Sequence, residues 1–140
     1  MGSMMLGCEV PYLVTRTHAE GQDWYRRMLR RNREYRGGRG TVAWIMRDAM
    51  GRPSGALLVK LAAPEAMLVY WVSPEARGQG LAKAAVEGIL PWLAEQGVRL
   101  VRADIQDDNH ASRRVLESNG FTERTDSLAH PGVRRFGREL

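Results

Sequence analysis

The residues with the clearest chemical capacity lie in a glycine-bearing turn at residues 73–82, which reads SPEARGQGLA. An apolar run precedes this turn, and a helix-like pattern follows it. Glycines let the backbone approach a ligand closely, and the first turn of a helix presents amides that lack a partner within the helix. The helix dipole adds positive potential there. The turn is therefore suited to hold a phosphate or pyrophosphate, although a plain strand-to-helix turn would also use such glycines.

Two common nucleotide-binding motifs do not describe this turn. The phosphate-binding loop G-x-x-x-x-G-K-[S/T] does not occur in the sequence. The dinucleotide fingerprint G-x-G-x-x-G is incomplete, because Lys83 stands where its third glycine belongs.

A second polar element is the run NHASRRVLESNGF at residues 109–121. Asn109 offers a donor and an acceptor at the end of a predicted strand, and Ser112 lies one helical turn further on. A short helix that begins at Asn109 and ends at Gly120 explains the run without a ligand. That interpretation does not exclude a binding role for the same residues.

A metal centre is not predicted. His18, His110 and His130 do not share a metal-ligand spacing, and Cys8 is the only cysteine. Because a single cysteine cannot form an internal disulfide, the chain is expected in the cytoplasm.

Length and composition favour one globular domain. The chain has 140 residues, of which 44% are hydrophobic and 26% are charged. It contains neither an apolar run long enough to span a membrane nor a signal-peptide pattern. Residues 1–4 resemble an expression scar, so the domain is expected at residues 5–140.

The positive charge is concentrated near the N-terminus. The whole chain carries a net charge of +5, and the first forty residues hold eight arginines against four acidic residues. This segment is interpreted either as a solvated arginine-rich helix or as a surface for an acidic or phosphate-bearing partner. No RNA-binding motif supports a nucleic-acid partner.

The hydrophobic pattern predicts an α+β fold with a mixed sheet and helices around it. The strand Ala66–Val72 is apolar on both faces, which indicates a central position. Pro91 is expected to kink the helix that contains it. The predicted elements are a helix at residues 20–36, strands at Thr41–Asp48, Gly55–Leu61 and Ala66–Val72, a helix to about Gln96, a strand at Val98–Gln106, a helix at Ala111–Asn119, and two strands around residues 130–132.

Together, the glycine turn and the downstream run resemble the GNAT superfamily of acyl-CoA-dependent N-acyltransferases. That family carries [Q/R]-x-x-G-x-[G/A] at its pyrophosphate loop, matched here by residues 77–82, RGQGLA. It then has an Asn, a short helix and Gly-Phe, matched by Asn109 and by Gly120-Phe121. The run at residues 109–121 is most similar to the branch of ribosomal-protein N-terminal acetyltransferases.

The resemblance implies a site for acetyl-CoA as cosubstrate, in a wedge between two strands that splay apart. These are the strands at residues 66–72 and 98–106, and Asn109 contacts the bound molecule from the far side. The resemblance further implies that backbone groups of the first strand pair with the pantetheine arm and that the loop holds the pyrophosphate. The residues concerned are Tyr70, Trp71 and Val72 on the strand, and Arg77, Gly78, Gln79, Gly80, Leu81, Ala82 and Lys83 in the loop.

In amine acetylation a base helps to remove the proton of the amine, a preorganised donor stabilises the oxyanion, and an acid can protonate the leaving thiolate. The resemblance nominates Asp104 as base, against the alternative of a salt bridge to Arg102 or another arginine. Glu65, Asp126 and His130 are rival bases, and a backbone N–H near residues 71–72 is the expected oxyanion donor.

The acid is the clearest departure from the family pattern. The family's usual acid is a Tyr seven residues after the Asn, and Leu116 stands there. Ser112 is the candidate acid by resemblance. Water, or no acid at all, is the alternative, because a thiolate is a stable leaving group near pH 8.

The acceptor is the least determined part of the prediction. The family's first strand and first helices shape the acceptor pocket, and here only Val10–Val14 suggests a first strand. The acceptor cleft is thus expected to be open, or to be completed by a second copy of the chain in a homodimer. The hypotheses are an acetyltransferase for a protein or peptide N-terminal amine, one for a small-molecule amine, and a CoA-binding module without turnover.

Overall fold

The computed structural model describes the chain over residues 4–6, 39–125 and 130–140, with residues 4–6 described by backbone alone. The predicted helix at residues 20–36, the predicted strand Val10–Val14 and the candidate base Asp126 lie outside these residues. Most of the segment that was expected to shape the acceptor cleft is therefore also outside them.

Seven strands in the described part of the chain form one mixed sheet. They are β1 Met4–Leu6, β2 Arg39–Arg47, β3 Pro53–Ala62, β4 Glu65–Val72, β5 Leu100–Gln106, β6 Thr122–Glu123 and β7 Val133–Glu139. Their order is β1-β2-β3-β4-β5-β7-β6, so β4 is the middle strand, as predicted. Only β4 and β5 pair in parallel, and the other neighbours are antiparallel. The predicted α+β class is confirmed.

One edge strand of the sheet lies in a segment that was not predicted as a strand. Met4–Leu6 pairs with β2, with Met4 opposite Met46 and Leu6 opposite Trp44. Met4 was set aside as part of a scar, and the predicted first strand, Val10–Val14, lies outside the described residues. A strand as short as Met4–Leu6 gains its hydrogen bonds from the exposed edge of β2 and needs little intrinsic propensity.

Two helices in the described residues pack against the sheet. They are α1 Leu81–Glu95 and α2 His110–Ser118. The buried face of α1 consists of Ala85, Val86, Ile89, Leu90 and Leu93, which join Leu116 of α2 and the sheet in one hydrophobic core. The helix α1 continues through Pro91 to Glu95, and Gly97 follows it with a φ of +87°.

The parallel pairing of β4 and β5 stops early. It comprises three residue pairs and ends at Met67 opposite Arg102. Beyond that point β5 remains paired with β7 along its whole length, whereas β4 residues 68–72 have no partner on this side among the described strands. The two strands therefore enclose a gap between residues 68–72 and residues 103–106, called the wedge below. The predicted separation of these strands is confirmed.

Candidate active site

The glycine loop follows β4 directly. A short 3-10 helix at Pro74–Ala76 leads into Gly78 and Gly80, whose φ angles are +80° and +76°, and α1 begins at Leu81. A residue with a side chain rarely adopts this left-handed conformation. A Cβ added at either glycine would meet no atom within 4 Å. The backbone conformation requires glycine here, and the space in front of the loop is open.

The amides of this loop are available to a ligand. Gly80 occupies the N-cap position of α1 and has no side chain that could cap the helix. Its carbonyl accepts a hydrogen bond from the Ala84 amide at 3.0 Å. Among the described residues no backbone carbonyl accepts a hydrogen bond from the amides of residues 78–83. These donors and the positive end of the α1 dipole act at the same place, which suits an anionic group.

A cavity of about 480 Å³ adjoins the loop. It is bounded by the loop, the end of β4 and α2. All residues that the sequence predicted for cofactor binding line it except Gln79. The sequence prediction missed further lining residues on the 3-10 turn and on α2, which are Ala76, Ala111, Arg114, Val115 and Ser118.

Hydrogen-bond alternation decides which backbone groups of β4 face the wedge. The Ser73 amide donates to the Ser54 carbonyl at 2.8 Å, which fixes the phase of the β3–β4 ladder. Bonded and non-bonded pairs alternate along an antiparallel ladder. The backbone groups of Trp71 are therefore directed to β3, whereas those of Tyr70 and Val72 are directed to the wedge.

Arg77 ties the loop to the end of β4. Its Nε donates to the Val72 carbonyl at 3.3 Å. This contact agrees with the alternation, because it requires the Val72 carbonyl to point away from β3.

Asn109 caps the helix on the opposite side of the cavity. Its Oδ1 accepts a hydrogen bond from the Ser112 amide at 3.1 Å. The Ser112 carbonyl in turn accepts from the Tyr70 hydroxyl at 3.3 Å. The interpretation of this run as a capped helix is correct, and the same cap holds the first turn of α2 against the wedge.

A second cavity of about 340 Å³ lies within the wedge, between residues 68–70 of β4 and residues 103–106 of β5. Apolar side chains form much of its wall, and the carboxylate of Asp104 also borders it. The cavity is lined by Leu68, Val69, Tyr70, Ala103, Asp104, Ile105, Gln106, Asn109, Ser112, His130 and Val133. Tyr70, Asn109 and Ser112 line both cavities, so the two cavities meet at these three residues, called the junction below.

The sequence matches the family description "Acetyltransferase (GNAT) domain" over residues 4–122. The chain belongs to this family. It is therefore an acyltransferase of the GNAT fold with acetyl-CoA as cosubstrate, as the sequence resemblance implied. A comparison with curated proteins found no match.

Solved structures share the fold of this GNAT domain at low sequence identity. RimL, the ribosomal L7/L12 α-N-protein acetyltransferase solved with coenzyme A, is 19% identical with a TM-score of 0.70, over 89% of this chain and 73% of that chain. Ribosomal-protein-alanine N-acetyltransferase from Brucella melitensis is 18% identical with a TM-score of 0.70, over 92% and 84%. A variant of the spermidine N-acetyltransferase SpeG from Vibrio cholerae is 14% identical with a TM-score of 0.65, over 89% and 76%.

Asp104 of the GNAT domain lies in the second cavity, beside an arginine. Its Oδ2 is 3.4 Å from Nε of Arg135, its cross-strand neighbour on β7. The alternative interpretation expected such an ion pair, although it named Arg102 first. Arg102 is bound to Glu65 at 2.9 Å instead.

The two other candidate bases within the described residues, Glu65 and His130, differ in whether they line a cavity. Glu65 begins β4 at the closed end of the wedge and lines neither cavity. His130 lines the second cavity, as Asp104 does.

Tyr70 is a site residue whose side chain the sequence prediction overlooked. Only its backbone was expected to matter, yet its half-buried ring extends from β4 to α2 and reaches the junction. Burial raises the pKa of its hydroxyl above the ordinary value of 10.0, so the phenol is neutral at physiological pH. Strand alternation with the buried residues Ala66 and Leu68 could have placed this ring on the helix side of the sheet.

One apolar residue of the central strand β4 is exposed. Val69 is 49% exposed, because the second cavity opens beside it.

Leu116, which occupies the place of the family's usual acid, is a core residue of α2. It is fully buried in the hydrophobic cluster. We expect Leu116→Ala to lower the free energy of unfolding by about 2–5 kcal/mol, because it removes buried methyl groups and leaves a cavity. Urea denaturation measures this change. A loss below about 0.5 kcal/mol would contradict the described packing.

Asn119 connects the two helices behind the first cavity. It is buried, and its Nδ2 donates to the carbonyls of Lys83 at 3.3 Å and Val115 at 3.1 Å. The sequence interpretation assigned it no role beyond the helix end. The bond to Lys83 holds α2 against the first turn of α1, where the loop amides lie.

The described residues contain no group of His, Cys, Asp and Glu side chains that could hold a metal ion. None of the helices found in those residues has both the length and the apolarity needed to cross a membrane.

Proposed function

We propose that this GNAT domain transfers the acetyl group of acetyl-CoA to the N-terminal amine of a peptide or protein, by direct attack in a ternary complex. The observation that carries the proposal is the early end of the β4–β5 pairing. It leaves one cavity at the loop end of β4, a second cavity within the wedge, and a junction between them. A donor in the first cavity and an acceptor in the second would meet at this junction.

The residues of the first cavity fit a CoA molecule. The amides of residues 78–83 suit the pyrophosphate, and the wedge-facing backbone groups of Val72 and Tyr70 suit an extended pantetheine arm. Asn109 faces them from the first turn of α2. When bound, the cosubstrate supplies an acyl group that is activated as a thioester.

A group that lines the second cavity is proposed to remove the proton of the acceptor amine. A primary amine is mostly protonated near pH 7 and must lose a proton before it attacks a carbonyl. Asp104 is the one carboxylate among the described residues that line this cavity. We assign to it the role of accepting the proton of the amine, directly or through a water.

The junction can stabilise the charge that develops during transfer. The amides of Tyr70 and Val72 are the wedge-facing donors of β4, so either is suited to an oxyanion, whereas the Trp71 amide is directed to β3. The Ser112 hydroxyl belongs to the junction and is our candidate proton donor to the leaving thiolate.

The second cavity favours a chain terminus as acceptor. Its volume of about 340 Å³ admits only a few residues, and Val69, Ile105 and Val133 give it an apolar wall. A terminal amine with small apolar side chains suits these walls. The fold similarity to RimL and to the Brucella melitensis enzyme supports the same class of acceptor, and the single cysteine supports a cytoplasmic location.

A small-molecule amine is the second candidate, because the fold is also similar to a spermidine N-acetyltransferase. Release of free thiol from acetyl-CoA separates the candidates when measured with peptides of varied first residue, the same peptides with a blocked terminus, and spermidine. We expect thiol release with free peptide termini alone. Background release with every acceptor, while CoA still binds, would contradict the transferase and indicate a CoA-binding module.

A further inference from the structure

The Tyr70 side chain lies at the inner end of the wedge. Strand pairing closes the wedge at Met67, and Leu68 next to it is buried in the core. Tyr70 is the next residue on the same face of β4, and its hydroxyl donates across the gap to the Ser112 carbonyl at 3.3 Å. The ring therefore extends from β4 to the first turn of α2, close to the point where β4 and β5 come together.

The order of the backbone groups along β4 determines which part of a bound acyl donor lies next to the Tyr70 ring. From the glycine loop inward, the wedge-facing backbone groups belong to Val72, Tyr70 and Leu68, and the paired end at Met67 follows. A donor held by the loop and along this edge has its acyl group at the innermost position. The Tyr70 ring borders that position, and beyond the ring lies the second cavity, which Leu68 and Ala103 also line.

We propose that the Tyr70 ring limits the length of the acyl chain that the wedge accepts, which makes Tyr70 a specificity-determining residue for the acyl donor. This inference rests on the proposed function. An acetyl group ends before the ring, whereas a longer chain must displace the ring and break its hydrogen bond to Ser112. Added methylene groups that must push aside a ring held by this bond lower the affinity for the donor.

Binding calorimetry tests the inference without turnover. The ligands are CoA, acetyl-CoA, butyryl-CoA and hexanoyl-CoA, and the proteins are the parent chain, Tyr70→Ala, Tyr70→Leu and Tyr70→Phe. For the parent we expect hexanoyl-CoA to bind about tenfold or more weakly than acetyl-CoA. Tyr70→Ala should reduce this difference to about threefold or less.

The other variants separate the ring from its hydroxyl and from stability. Tyr70→Phe keeps the ring and should keep the parent's discrimination. If Tyr70→Ala does not fold, Tyr70→Leu replaces it in the binding comparison. Leucine removes the ring but leaves a smaller cavity than alanine does.

Three outcomes would overturn the inference. They are equal binding of all acyl lengths by the parent, retained discrimination in both folded small-residue variants, and lost discrimination in Tyr70→Phe. Failure of the proposed function looks different, because the parent would then bind neither CoA nor any acyl-CoA.

Discussion

Replacement of Gly80 by glutamate should weaken CoA binding by about 100-fold or more, as measured by calorimetry. The new carboxylate would stand in the open space before the loop amides, where the pyrophosphate is proposed to lie. Its charge repels the ligand, and it competes for donors whose charge-assisted hydrogen bonds are worth about 1.5–3 kcal/mol each.

Two control variants separate this effect from backbone strain. Gly51 also has a left-handed φ of +78° and open space around it, but it lies in the β2–β3 turn and lines neither cavity. Gly51→Glu should therefore cost similar stability and leave CoA affinity unchanged. Gly80→Ala carries the strain without the charge and should lower affinity less than Gly80→Glu. Parent-like CoA affinity in Gly80→Glu would contradict the assignment of the loop.

Replacement of Asp104 by asparagine should lower kcat by about 10²–10⁴-fold, because it removes the proposed proton acceptor. The affinity for CoA should not change, since Asp104 lines the second cavity and not the first. Steady-state kinetics with the best peptide acceptor, together with calorimetry for CoA, measure both quantities.

The alternative explanation is that Asp104 serves only to pair with Arg135, and a matched variant tests it. Arg135→Gln breaks the same pair while it keeps the carboxylate, and the pair is about a third exposed on both sides. Loss of such a pair should cost at most about 1 kcal/mol of stability and leave kcat near the parent value. Glu65→Gln, which breaks the pair with Arg102, should likewise keep kcat. If Asp104→Asn turns over within twofold of the parent, the base lies elsewhere.

Local patterns were sufficient to predict most of the described elements and the glycine loop. The strands β2 to β5 and both helices follow from apolar runs and from glycines that end them, and these signals lie within a few residues of one another. The loop was predictable for the same reason, because a strand end, two glycines and a helix start are adjacent in the sequence.

The remainder of the site depends on contacts between distant residues. Tyr70 and Ser112 are 42 positions apart, and their hydrogen bond exists because the helix after β5 comes back beside β4. Asp104 meets Arg135 only through the register of β5 and β7. A single sequence does not show which residues of distant strands lie opposite each other. The ion pair and the position of the Tyr70 ring are therefore apparent only in the folded structure.

The edge strand and the phase of the β3–β4 ladder show the same limitation. Met4–Leu6 is too short to have a distinctive pattern, and its strand conformation follows from pairing with β2. Composition cannot tell which of Tyr70, Trp71 and Val72 directs its backbone groups to the wedge, since this follows from the bond between Ser73 and Ser54.

A crystal structure of the protein with acetyl-CoA tests the central claim most directly. We predict the pyrophosphate at the amides of residues 78–83, the pantetheine arm against the free edge of β4, and the thioester at the junction of Tyr70, Asn109 and Ser112. Density that shows residues 68–72 fully paired with β5, or acetyl-CoA bound away from the wedge, would contradict it.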